Sequence, residues 1–320
     1  MKSSRTSTRH IYWLAFLAVS FLACLIGQLP SLIPDTPVGD ADLPSSPHVG
    51  AYSWRKVSDL SDQRISESSG LGASRRYPRY LWTHNDSGDG PRLFLLSPQG
   101  NTVTVATLDG ARNRDWEDMA VAGTGSLAWV YAGDIGDNLR MRANIAIYRF
   151  REPQIALNNP PQTVTVPWAR MTLTYPDGPH DAEALLATAG GYLVIATKDS
   201  DASRIYMTPR PFAADTTQKL VQVGTYTFQT EEGFGRMVTG GDLSPDGKRL
   251  VLRTYTRAYE WTLPVSGNLL TSWQAVWKTA PRAIALPATR QGEAICYSAD
   301  GQRLSTTSEG SPAPLYELTR

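Results

Sequence analysis

Carboxylates set in a repeating frame are the residues of this chain best placed to do chemistry. Five short acid-centred segments recur: Glu67-Ser68-Ser69-Gly70-Leu71, Asp115-Trp116-Glu117-Asp118-Met119, Asp181-Ala182-Glu183-Ala184-Leu185, Gly240-Gly241-Asp242-Leu243 and Gly292-Glu293-Ala294-Ile295. From Glu67 onward the acids stand 50, 66, 59 and 51 positions apart. If the segments are equivalent, Glu67, Glu117, Glu183, Asp242 and Glu293 converge as a ring. Crowded carboxylates are unfavourable unless a cation, protons or basic groups relieve them, so a bound metal is expected. Further polar groups follow each acid: His84-Asn85-Asp86, Asp134 with Asp137-Asn138, Lys198-Asp199, Arg253 and Glu309. Oxygen-rich sets that include Asp86, Asp134 and Asp137 suit Ca²⁺, which takes six to eight oxygen ligands in flexible geometry. Lys198 and Arg253 are candidates to hold an anionic substrate group. His84 stands beside them either as a substrate contact or as a satisfied structural histidine. Singly, the Asp-rich loops also read as turn caps.

A second series runs in phase with the acids and reveals the elements that must position them. Apolar-aromatic pairs recur at Leu93-Phe94, Ile147-Tyr148, Ile205-Tyr206, Ala258-Tyr259 and Leu315-Tyr316. Two series sharing one period indicate five homologous units. Within them, short β-rich runs are separated by turns such as Ser244-Pro245-Asp246-Gly247 and Ser298-Ala299-Asp300-Gly301, and Asp-Gly between such runs is a hairpin signal. No sustained 3.6-residue period follows the N-terminal region, so helix content is expected to be low. The fold class is therefore all-β: a β-propeller of about five four-stranded blades around an acidic central pore. The last unit ends after its third strand, and the segment from Tyr52 to Val57 is expected to supply the missing fourth and close the ring.

Composition narrows the partners. With 31 basic and 30 acidic residues the net charge is +1, which gives no field to gather nucleic acid. Residues 11–27 form an uncharged apolar run preceded by Lys2, Arg5 and Arg9, the layout of a signal peptide or membrane anchor. The rest is then extracytoplasmic, either anchored or secreted. Residues 28–50 carry five prolines and read as a tether, leaving 51–320 as the propeller domain. Cys24 lies in the apolar run, so Cys296 is the single thiol of the exported part and no internal disulfide braces it. A monomer is expected, touching membrane through its N-terminus alone.

Two common hydrolase signatures, a Gly-x-Ser-x-Gly elbow and a His-Glu-x-x-His helix, are absent from the sequence. Four histidines, two of them outside the repeats, do not suit a histidine-rich zinc site. The motif set instead resembles a poorly characterised family of exported bacterial propellers. Its members here are His84-Asn85-Asp86-Ser87-Gly88-Asp89, Asp115-Trp116-Glu117-Asp118, Gly133-Asp134-Ile135-Gly136-Asp137-Asn138, Tyr175-Pro176-Asp177-Gly178, Asp181-Ala182-Glu183-Ala184-Leu185, Thr239-Gly240-Gly241-Asp242-Leu243-Ser244-Pro245-Asp246-Gly247 and Gln291-Gly292-Glu293-Ala294. More distantly, it is similar to phytase-like and SdiA-regulated propellers. The phytase-like resemblance implies calcium and hydrolysis of phosphate or related esters, although five repeats depart from the six blades of propeller phytases.

Three functions follow as expectations. One is a binding or scaffolding module whose pore holds calcium and whose loops take a small anionic ligand or a cell-envelope component. Another is a metal-dependent hydrolase of phosphate or other anionic esters. The third is a glycan-cleaving enzyme, for which two suitably separated carboxylates suffice.

Overall fold

The inner strand of each repeat carries small residues, as in Ser68-Ser69-Gly70-Leu71-Gly72, and small side chains let backbones approach one another about an axis. In a computed structural model these strands do line a central channel. The structure describes residues 53–157, 161–229, 233–264 and 268–319. The expectations for the apolar run, Cys24 and the tether fall outside them. Among the described residues, no helix is long and apolar enough to cross a membrane.

Five sheets form five blades. Their inner strands are Ser68–Ala73, Trp116–Ala122, Ala182–Ala187, Val238–Leu243 and Gly292–Tyr297, in blades 1 to 5. Each touches the next around a closed circle. All five are buried along their whole length. Two glycines show why small residues are needed here. A Cβ at Gly70 would strike His84 Nε2 and the Met119 backbone, and one at Gly240 would strike the Glu293 carbonyl.

The in-phase aromatics Phe94, Tyr148, Tyr206, Tyr259 and Tyr316 all lie on third strands. The first four join apolar clusters, and five such clusters lie one between each pair of adjacent blades. Between blades 1 and 2, for example, Trp82, Leu93 and Leu95 meet Trp116, Met119 and Phe150. Each large side chain buried in this way contributes about 1.5 to 3 kcal/mol relative to exposure. The Asp-Gly turns join inner to second strands, with Gly247 and Gly301 at φ of 70° and 69°, where glycine is favoured.

The N-terminal strand Trp54–Asp59 pairs antiparallel with Pro314–Thr319 and completes blade 5, closing the ring. Two details differ from the sequence expectation. Blades 1 and 2 have five strands, because Gln162–Thr165 adds in parallel to Thr102–Thr107, and Thr217–Lys219 adds in parallel to Trp168–Thr174. The first addition comes from the longest inter-acid interval, between Glu117 and Glu183. A short helix, Leu269–Val276, also interrupts blade 4, capped by the Asn268 side chain accepting from Leu270 N. Its Trp273 is fully buried, and Trp277, just beyond the helix, packs 5.3 Å from Trp261 between ring centroids. Two helical turns are too short for a sustained period to show in the sequence.

Candidate metal centre at the acidic mouth of the pore

Every inner strand carries a register shift near its start, a β-bulge that adds a residue and re-aims its side chain. The pairing places the shift between Ser68 and Gly70, Trp116 and Met119, Ala182 and Ala184, Val238 and Gly240, and Gly292 and Ile295. The equivalent bulged residues are therefore Ser69, Glu117, Glu183, Thr239 and Glu293. Three of the five expected acids share this position. Glu67 lies two residues earlier and is exposed, while Asp242 lies three residues further into the channel and is buried.

At the mouth, single oxygens of Asp86, Asp115 and Glu117 lie within 4.8 Å of one another, an arrangement that could hold a metal ion. Local structure explains the meeting. Asn85 accepts from Ser66 N and Glu67 N and donates to the Arg64 carbonyl and to Asp89, which fixes the turn that carries Asp86. Asn113 donates to the Asp86 carbonyl at 2.8 Å and accepts from Trp116 N, docking that turn onto the start of blade 2. Gly136 N donates to the Asp115 carbonyl, and any Cβ at Gly136 would strike the carboxylates of Glu117 and Asp115. Glycine is thus required for close approach.

The electrostatics show crowding. Burial, with Asp115, Glu293 and Glu67 nearby, pushes Asp86 up to about 7. Burial and Asp181 push Asp115 up to about 6. Glu117 is raised well above the usual range by burial and then by Glu183, Asp86 and Asp115. Glu309, beside Glu293, is raised to about 9 by burial and by that neighbour. Glu67 is raised as well, by burial and Glu293.

One cation answers this charge closely. Lys198 forms an ion pair with Glu183, and although burial opposes its charge, Glu183 raises its pKa and holds the ammonium charged. Lys198 Nζ also lies 5.4 Å from the Tyr255 ring centre. The other oxygen of Glu183, Oε2, is buried without a hydrogen-bond partner.

The remaining expected site residues occupy other surroundings. Asp134 pairs with Arg142 at 2.7 Å, and Asp137 accepts from Met141 N and Arg142 N within its own turn. The Arg253 guanidinium is buried, with its pKa lowered to about 10 by desolvation. It donates to the carbonyls of Ala294 and Thr307 and to Thr306 Oγ1, locking blade 4 to blade 5. His84 is fully buried, edge-on to Trp116, with its pKa lowered to about 4 by burial; Nδ1 meets the Asn85 carbonyl and Nε2 has no partner.

Deeper in the channel two acids take a structural role. Asp118 accepts from Met119 N, Leu185 N and Gly241 N, joining the inner strands of blades 2, 3 and 4. Asp242 accepts from Leu243 N and from Tyr297 N of blade 5. Asp115 and Asp118 flank Glu117 in the Asp115-Trp116-Glu117-Asp118 motif, which by itself assigns neither a role. Aligning the repeats on the small residue that follows the bulge (Gly70, Ala184, Gly240, Ala294) would have shown Asp118 to be the one charged residue in that column.

No family model matches the chain, and no curated protein is similar to it in sequence. Among solved structures, the chain is similar to a gluconolactonase from Xanthomonas campestris at TM-score 0.45 and 14% identity, over 84% of this chain and 90% of that one. At that overlap the chemistry has to be read from this chain's own residues. The propeller itself stands on the five sheets described above, whereas this neighbour lends nothing to the finer likeness to phytase-like or SdiA-regulated propellers.

Proposed function

We propose that the acidic mouth binds a divalent cation, with calcium as the ion its donors suit, and that the protein hydrolyses a small anionic ester there. The observation that carries this reading is the convergence of Asp86, Asp115 and Glu117 oxygens within 4.8 Å, beside a buried Glu183 oxygen that has no partner. All four donors are hard carboxylate oxygens, which fit Ca²⁺ better than a metal that prefers nitrogen or sulfur. Asp86, Asp115 and Glu117 would hold the ion, with Glu183 at its margin. A bound divalent cation would supply Lewis-acid chemistry toward a substrate oxygen.

The chain's own groups supply the rest. Lys198 offers positive charge for an anionic substrate group or for negative charge that develops during reaction. Tyr255, its pKa pushed above the usual tyrosine value by burial and Glu183, remains a neutral hydroxyl donor at neutral pH. Asp115 and Asp86, raised to about 6 and 7 without metal, would give up their protons to a bound cation at physiological pH. Such a mixture of perturbed acids and a cation marks functional sites more often than structural ones. The protein acts in this reading as an extracytoplasmic monomer held or exported by its N-terminal segment.

A second reading, a binding module for an envelope component, is favoured by the Lys198–Glu183 pairing, which already occupies this cation with an acid of its own blade. One experiment separates the two. Purified protein is titrated with Ca²⁺ by calorimetry and assayed against phosphate esters, carboxylic esters and lactones, with calcium and with chelator. Saturable calcium binding with calcium-dependent turnover supports the hydrolase. Binding without turnover leaves the binding module, and no calcium binding removes the hydrolase and the calcium assignment together.

A further inference from the structure

The inner strands run from the acidic mouth toward the opposite end of the channel, and the four residue steps from Glu117 to Val121 already span about 13 Å. At that far end, displaced toward blades 2 to 4, lies a cavity of about 310 Å³. Its wall includes Val121 and Gly123 of blade 2, Ala187 and Tyr192 of blade 3, and Leu243 and Trp273 of blade 4. The lining is chiefly apolar, and it contains one cation, Arg75, which follows the inner strand of blade 1.

The polar groups of this wall fall into two kinds. Two of the accepting atoms are already engaged. Asp246 Oδ1 accepts from Ser244 Oγ and Lys248 N, and Thr188 Oγ1 accepts from Tyr192 N. Two donors of the lining residues lack a full set of partners, both of them buried beneath the cavity surface. Arg75 spends Nη2 on the Val121 carbonyl at 3.1 Å while its Nη1 has no partner, and the Nε1 of Trp273 has none either. An N–H left without an acceptor in a buried setting costs about 1 to 3 kcal/mol. The single cation of the lining, Arg75, suits an anionic ligand group. Asp246 on the rim and Asp242, close enough for Arg75 to lower its pKa, limit the negative charge this end can take. A doubly charged phosphate suits it less well than a monoanion.

We propose that this far-end cavity is a second ligand site, for a small monocarboxylate with an apolar body, separate from the acidic mouth. Arg75 takes the carboxylate and the walls of blades 2 to 4 take the apolar part. Calorimetry with octanoate as the probe, on the full chain, tests this. Saturable octanoate binding is expected, unchanged by chelator or by Glu117→Gln, because the acidic mouth takes no part in it. Arg75→Gln should weaken binding by at least about tenfold, the worth of a charged hydrogen bond. Gly190→Leu should do the same by filling the cavity. A Cβ at Gly190 meets nothing closer than 3.8 Å, so this variant should keep the wild-type fold. Inorganic phosphate should bind at least tenfold more weakly than octanoate. The proposal is overturned if octanoate shows no saturable binding to the wild type, if Gly190→Leu melts normally and binds octanoate as tightly as wild type, if binding disappears with chelator, or if phosphate binds as well.

Discussion

The carboxylates of the mouth and those of the throat are the same functional group a few residues apart, yet their surroundings give them opposite work. In the throat, Asp118 and Asp242 have both oxygens filled by backbone N–H groups from their own and neighbouring inner strands. At the mouth, Asp86, Asp115, Glu117 and Glu183 crowd one another around a few donors, and Glu183 keeps a buried oxygen empty-handed. An acid whose lone pairs are met by fixed N–H groups becomes a staple. One whose lone pairs face other acids becomes a place for a cation.

The contrast breaks most visibly at Asp118. Asp118→Ala would strand three buried N–H groups on three blades and should lower unfolding stability by about 3 kcal/mol or more, whether or not metal is present. Urea unfolding with and without chelator measures this, and a loss below about 1 kcal/mol would remove the staple assignment. Calcium sharpens the same contrast from the other side. At one hundred times its dissociation constant it should stabilise wild type by about 2.7 kcal/mol. Glu117→Gln should remove most of that gain, whereas Asp242→Asn should retain it from a lower baseline. Thermal melts against free calcium would show the difference, and an equal calcium response in the two variants would erase the distinction between mouth and throat.

The smallest expected effect is on pH. Asp115, Asp86 and Glu309 have folded pKa values of about 6, 7 and 9, all above their ordinary values near 4. A carboxyl raised in this way contributes stability that is fully present below its unfolded pKa and is lost as pH rises through the folded value. Metal-free protein should therefore lose stability steadily between pH 5 and 9, and saturating calcium should flatten the slope by replacing the protons. Chemical denaturation at several pH values tests this, and metal-free stability that rises with pH over that range would contradict it.

Much of the architecture was legible because repetition in sequence reflects repetition of environment. Phe94, Tyr148, Tyr206, Tyr259 and Tyr316 recur in phase because each fills the same place on a third strand. The closing strand was legible from what the last repeat lacked. The extra strand Gln162–Thr165 was not, since it joins a blade already complete and leaves only a longer interval behind. For the site, Glu117, Glu183 and Glu293 were found in equivalent positions. Glu67 and Asp242 were grouped with them because a bulge absorbs a residue and spacing alone cannot tell which acid sits on it. Asp115 joins the centre through the docking of two loops by Asn113, a contact between units that no periodicity within a unit encodes.

The closure of blade 5 also governs how the molecule must be made. Trp54 pairs with Leu318, so one half of the clasp leaves the ribosome well over two hundred residues before its mate. Until the second half arrives, the outer edge of Trp54–Asp59 and the flank of blade 5 stand open, and an unpaired edge invites the wrong partner. Contacts so distant along the chain also slow folding. The circle therefore cannot close until Pro314–Thr319 has emerged, and a chaperone that shields strand edges would have its greatest effect on this protein before that pairing is made.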